Sequence, residues 1–221
     1  MPKDWFEWHN LYQREERLQQ RLEIVQGYIT RSLDAQPPGP IQIVSACAGD
    51  GRDLRGALLN HPRRAEVSAR LIELNPQLVE QGQSAIGQTG LANQIELLQG
   101  DATLSDNYAG AVPADIVLVC GIFGNLADEA ALQQLIGNLK FLAKTGALVA
   151  WTRGHRDGIA YSDLVRQTFQ SAQFEEVDFQ LTATGDMGVG LHRYVGTPAP
   201  LPANQHLFVF SGSPDRAVAP T

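Results

Sequence analysis

The spacing of apolar side chains changes along the chain. Between residues 4 and 34, Trp8, Leu11, Leu18, Leu22, Val25 and Ile29 return at three-, four- and seven-residue steps, while QREER and QQR fill the opposite face. This predicts one long amphipathic helix, opened by an Asp4 and Glu7 capping box and weakened in its interior by Gly27. The stretch QPPGP at 36–40 ends it, because successive prolines remove donors and fix the backbone angle.

Beyond that punctuation, short apolar runs alternate with helical periods. Strands are predicted at 41–46, 67–73, 95–99, 115–120 and 147–152. Helices are predicted at 51–60, from the cap pair Asn75 and Pro76 onward, and at 128–144 with Asp128 as cap. Runs such as IVLVC are apolar on both faces, which places the strands in a parallel sheet covered by helices on both sides. In the last third FEEVDFQL alternates like a half-buried strand and HLFVF at 206–210 reads as a short one; VGLHRYV between them can also be strand. The stretch SGSPDRAVAPT reads as a frayed tail.

In a doubly wound α/β sheet the ligand lies at the carboxyl ends of the strands. After the first strand comes Ala48-Gly49-Asp50-Gly51, where missing side chains admit a ligand to the backbone and the next helix offers free N–H groups. The second strand ends in Glu73, at the spacing from the glycine turn where a carboxylate accepts from both hydroxyls of a ribose. The third runs into Gly-Asp-Ala, placing Asp101 where it can accept from the exocyclic amine of adenine. Two acids beside a glycine turn suit a ribose and an adenine and repel a pyrophosphate.

Charge and cysteine count narrow the partners. With 17 Lys and Arg against 24 Asp and Glu, the net charge of -7 and pI near 5.2 oppose a phosphate backbone, so no nucleic-acid partner is expected. No run approaches the roughly 20 apolar residues of a membrane span, and MPKDWFEWHN lacks the apolar run of a signal peptide. Cys47 and Cys120 give no disulfide framework and no metal cluster, and a cytoplasmic protein is expected. If the first and fourth strands are neighbours, both thiols would face one cavity.

The segments VSACAGDGRD, RLIELNP, LLQGDAT and ADIVLVCGIFGNLAD resemble the class I S-adenosylmethionine (SAM)-dependent methyltransferases, over about residues 38–210. The resemblance implies a mostly parallel, doubly wound seven-stranded α/β sheet over residues 37–212, a helical lid over 1–36 and a tail at 213–221. It implies that Ser45, Cys47, Ala48, Gly49, Asp50 and Gly51 surround the methionine part of SAM, Gly49 and Gly51 approaching it most closely. Glu73 with Leu74 would take the ribose, Asp101 with Ala102 the adenine, and Cys120 and Gly121 would line the methyl-donor and substrate cavity. Where the family commonly carries an acid followed by Gly-x-Gly-x-Gly, this chain has Ser45 and Cys47-Ala48-Gly49-Asp50-Gly51. Asp50 or the Ser45 hydroxyl is the candidate replacement facing the ammonium.

The reaction implied is in-line transfer of a methyl group to an O, N or C atom of a small molecule, leaving S-adenosylhomocysteine. Trp5, Trp8, His9 and Tyr12 lie within two helical turns and either pack the helix down or form an aromatic lid. His9, Tyr12 and His155, in that order, are candidate bases for an acceptor that must lose a proton; Asn125 orients substrate or caps a helix. A nicotinamide-dependent oxidoreductase is disfavoured because Gly-x-Gly-x-x-Gly is missing, Leu54 standing at the third glycine position. A SAM-binding regulatory protein without catalysis is the other alternative. Oligomeric state is left open.

Overall fold

A computed structural model describes residue 7, residues 11–155 and residues 159–211. The expected first turns of the N-terminal helix, with Asp4, Trp5, Trp8 and His9, and the tail beyond residue 211 lie outside the described residues. Leu11–Gln13 form a 3-10 turn, and helix α1 then runs unbroken over Glu16–Asp34, passing Gly27 without a kink. The helix is continuous there because its contacts come from the other face, where Val25, Tyr28 and Ile29 are buried.

The sheet strands are β1 (Ile41–Ala46), β2 (Val67–Glu73), β3 (Ile95–Gln99), β4 (Ala114–Val119), β5 (Ala143–Gly154), β6 (Phe174–Leu181) and β7 (Met187–Tyr194). Their order is β3-β2-β1-β4-β5-β7-β6. The first five pair in parallel and β7 inserts antiparallel between β5 and β6, so the sheet is mixed. Helices α2 (Arg52–Leu58), α3 (Pro76–Gln88), α4 (Glu129–Asn138) and α5 (Tyr161–Ser171) complete the fold.

Two apolar clusters occupy the two faces. Ile43, Leu71, Ile116 and Leu118 meet α1, α2 and α3, whereas Val44, Ile72, Val117 and Val119 meet α4 and α5, as the period-2 alternation of strand side chains requires. Helix α1 is therefore built into one face of the core, packed on β5, β7 and α2. No helix among the described residues is long and apolar enough to cross a membrane.

The helix expected to run continuously over 4–34 is interrupted at residues 14–15, between the 3-10 turn and α1, and other expectations also differ from the structure. The helix expected to run to residue 144 stops at Asn138, and after a 3-10 turn the chain is already in β5 at Ala143. HLFVF makes an isolated bridge, Leu104 to His206, and no sheet strand, because its apolar Leu207 and Phe208 are buried beside α4. Helix α5 is an addition to the predicted elements; only Val165 and Phe169 mark its apolar stripe.

Under α5, Trp151 stacks on Phe169 at 5.8 Å between ring centroids, and Phe169 stacks on His192 at 4.5 Å. Trp151 Nε1 donates to His192 Nδ1 at 3.0 Å, which puts the ring proton of a neutral imidazole on Nε2. Burial lowers the His192 pKa from 6.5 to about 4, against the attraction of the nearby Glu176 carboxylate, which Arg166 already occupies. Between those two values the unfolded chain binds one more proton than the folded one, so stability falls as pH drops from 6.5 towards 4. Urea unfolding across that range should show a loss of up to about 3 kcal/mol that His192→Asn flattens.

Candidate active site

The connections that leave β1 and β2 are joined by hydrogen bonds to one carboxylate, and Gly100 N after β3 donates to the backbone carbonyl of the same residue, Glu73. After Ala46 the chain enters the left-handed region at Cys47 (φ 52°), Gly49 (φ 60°) and Gly51 (φ 72°). A side chain at Gly51 would be strained by that φ, and its Cβ would sit 2.9 Å from Leu71 Cδ2, so the start of α2 is closed to larger residues. Gly82 of α3 permits a second close approach: a Cβ there would stand 2.8 Å from the Asp50 carbonyl oxygen. Glu73 fixes this turn, its Oε2 accepting from Gly49 N at 2.8 Å and its Oε1 from Asn75 N at 2.8 Å. Each carboxylate oxygen has acceptor capacity beyond one such bond.

Beyond β3, Asp101 Oδ1 accepts from Thr103 N at 2.9 Å, and Asn107 donates to the Asp101 carbonyl at 2.7 Å. Tyr108, fully buried, donates to the Ala102 carbonyl, with burial holding its phenol protonated. Leu74, next to Glu73, is 65% exposed and offers an apolar surface at the rim. At the mouth of β4, Gly121 (φ 78°) accepts Asn125 Nδ2 on its carbonyl and donates its N–H to Thr152 Oγ1 at 2.8 Å, and a Cβ at Gly121 would meet nothing within 4 Å.

The charged part of the edge is built by α1 and α2. Arg21, 4% exposed, pairs with Asp53 at 2.8 Å; burial opposes its charge and Asp53 restores it. Asp50, 3% exposed, is held by Arg52 through Nε at 2.7 Å and Nη2 at 3.0 Å. The Tyr12 ring lies between these pairs, with the Arg52 and Arg21 guanidinium carbons 4.7 and 5.7 Å from its centroid. Burial pushes the Tyr12 phenol up despite Arg21, which favours its protonated form.

The two thiols part company. Cys47 packs with the cluster under α4, near Glu73 and Asp101, whereas Cys120 belongs to the opposite face, near Arg21, Asp53 and Thr152. Burial raises both thiols, Cys120 to about 12, which favours the protonated form of each. His155, the other described base candidate, is occupied: Nδ1 meets the Gly185 carbonyl at 3.0 Å and so carries the proton, and Nε2 takes the Ser162 hydroxyl at 2.7 Å. It ties β5 to α5 and to the β6–β7 turn.

The site thus gathers the glycine turn, Glu73, Asp101, Ala102 and Gly121 along one edge. A family model described as "Putative methyltransferase" matches residues 4–156, which include α1 and every one of these groups. The chain belongs to this methyltransferase family. No curated protein matches the sequence. Solved structures with the methyltransferase fold include an O-methyltransferase family protein from Burkholderia thailandensis, 15% identical with a TM-score of 0.60, covering 80% of this chain and 56% of its own. The CurJ carbon methyltransferase is 12% identical at TM-score 0.67, covering 87% of this chain and 59% of its own. The 1,6-didemethyltoxoflavin-N1-methyltransferase of Burkholderia thailandensis, solved with S-adenosylhomocysteine, is 13% identical at TM-score 0.62, with coverages of 87% and 84%. The chain therefore spans just over half the length of the first two.

In this methyltransferase-family chain the Arg21–Asp53 pair was the feature hardest to foresee, yet it left a trace. Arg21 interrupts the apolar stripe of α1 between Leu18 and Val25, a position where a cation needs a buried partner. Removing only one member strands the other, so Asp53→Ala should lower stability by about 3 kcal/mol. Arg21→Met combined with Asp53→Leu should recover most of that loss in denaturant melts.

Proposed function

We propose that the chain is a SAM-dependent methyltransferase acting on a small-molecule acceptor in the cytoplasm. The observation that carries this reading is the pairing of Glu73 and Asp101 on the neighbouring ends of β2 and β3 beside a left-handed glycine turn. Glu73 and Leu74 would hold the ribose, Asp101 and Ala102 the adenine, and Gly49 and Gly51 the methionine end. The left-handed backbone at Gly49 and Gly51 and the open space above Gly121 fit such a group. Asp50 and Ser45 are our candidates for the ammonium, and Arg52 with Arg21 supplies positive charge for the carboxylate. When bound, SAM supplies the activated methyl group.

The chain's own part is placement and exclusion of water. With Tyr12 holding its proton and both ring nitrogens of His155 engaged, we propose an acceptor whose reacting atom needs no proton removed by these two groups. His9 remains our candidate base for an acceptor that does. A pyrophosphate fits poorly beside Glu73 and Asp101, and Leu54, 1% exposed, packs α2 where a dinucleotide fold has its third glycine. One observation favours a second reading, SAM binding without transfer: Tyr12, 6% exposed, fills part of the mouth beside Arg52.

Calorimetry with SAM, S-adenosylhomocysteine and NADH tests the cofactor. Both sulfur compounds should bind and NADH should not, with Glu73→Ala and Asp101→Ala each raising Kd at least about tenfold. Absence of binding of either sulfur compound overturns the reading. Release of S-adenosylhomocysteine in the presence of candidate acceptors separates transfer from binding alone.

A further inference from the structure

Residues 203–211 lie outside the part of the chain that the family model matches, yet they hold both lips of the cleft. On the β3 side, Leu207 N donates to the Thr103 carbonyl at 2.7 Å and His206 Nδ1 shares a hydrogen bond of 2.8 Å with Thr103 Oγ1. Ser105 N donates to the Gln205 carbonyl at 2.9 Å, and Asn204 N to Asp106 Oδ1 at 2.8 Å. On the β4 side, Ser211 donates through N and Oγ to the Asn125 carbonyl at 3.0 and 2.9 Å, and Asn125 in turn holds Gly121. Between the two lips Leu207 and Phe208, each 3% exposed, anchor the segment, with Asn138 of α4 donating to the Leu207 carbonyl.

Thr103 is the junction. Its N–H holds Asp101 Oδ1, its carbonyl is fixed by Leu207, and its hydroxyl by His206. The loop 101–104 lies beyond the end of β3; Asn107 and Tyr108 hold its first two carbonyls, those of Asp101 and Ala102, while the carbonyl and hydroxyl of Thr103, whose N–H meets the Asp101 carboxylate, are held by the strap. We propose that His206 and Thr103 are positioning residues of the cofactor site: the 203–211 strap presets the Asp101 carboxylate, and so the recognition of the adenine amine, without itself touching the ligand. This rests on the SAM reading above. It lowers the ordering cost of binding, since a carboxylate already aimed has less conformational freedom to lose.

The test is the Kd for S-adenosylhomocysteine, by calorimetry on the full chain, with thermal melting of every variant. His206→Ala, at an exposed position, and Thr103→Val, which keeps the shape and removes the hydroxyl, should each raise Kd about three- to tenfold, and Thr103→Ser should restore it to within about twofold. In an Asp101→Ala background the same two substitutions should change Kd by less than about twofold, the coupling expected when their effect passes through Asp101. Unchanged Kd in both single variants, or equal fold losses with and without Asp101, overturns the proposal and leaves the cofactor reading standing. Failure of the wild type to bind overturns both. A lower melting temperature with unchanged Kd shows a strap that stabilises the fold alone, and also overturns the proposal.

Discussion

Everything at the ligand edge depends on where the Glu73 carboxylate sends its two oxygens. One receives the Gly49 N–H of the turn after β1 and the other the Asn75 N–H at the start of α3. A single buried charge thereby satisfies donors on two connections that leave the sheet side by side, and the left-handed turn and the helix cap share one origin. In the function proposed above, the spare acceptor capacity of the same oxygens would serve a sugar, so the group that builds the turn would also read what enters it. Replacing it with a neutral side chain would disturb architecture and recognition together.

The charged cluster beside this cradle shows how the N-terminal helix joins the site. Arg21 and Arg52 are each satisfied by a carboxylate, Asp53 and Asp50, and both guanidinium groups lie against the Tyr12 ring. Positive and negative groups thus alternate beside the glycine turn, each held by a partner of opposite sign. Because α1 also packs on β5 and β7, its side chains reach the edge from a rigid support.

Much of this was legible in the sequence, for physical reasons. The strands buried on both faces betray themselves by unbroken apolar runs, and Glu73 and Asp101 stand at strand ends where the next residues, Asn75 and Pro76 or Gly100, announce a turn. Illegible were the features whose partners are remote. The pairing of Arg21 with Asp53 spans 32 residues, and that of His206 with Thr103 spans 103, and nothing local marks either as joined. HLFVF has the composition of a strand, but it makes one isolated bridge, to Leu104 beyond β3, and its apolar side chains lie against the flank of α4. His155 sits in a loop at the active edge, as a base would, yet its two nitrogens are used to join β5 to its neighbours.

The separation between Thr103 and the strap also has a meaning in time. At the usual pace of synthesis, roughly 5–20 residues per second, the Asp101 loop emerges roughly 5–20 s before the segment that grips it. For that interval the nascent chain can already pair β1, β2 and β3, since these strands are local and parallel neighbours, while the Thr103 carbonyl and hydroxyl still lack their partners in the strap. If the strap presets Asp101 as proposed, the chain thus passes through a stage in which the turn held by Glu73 can form and the far side of the Asp101 loop is not yet gripped.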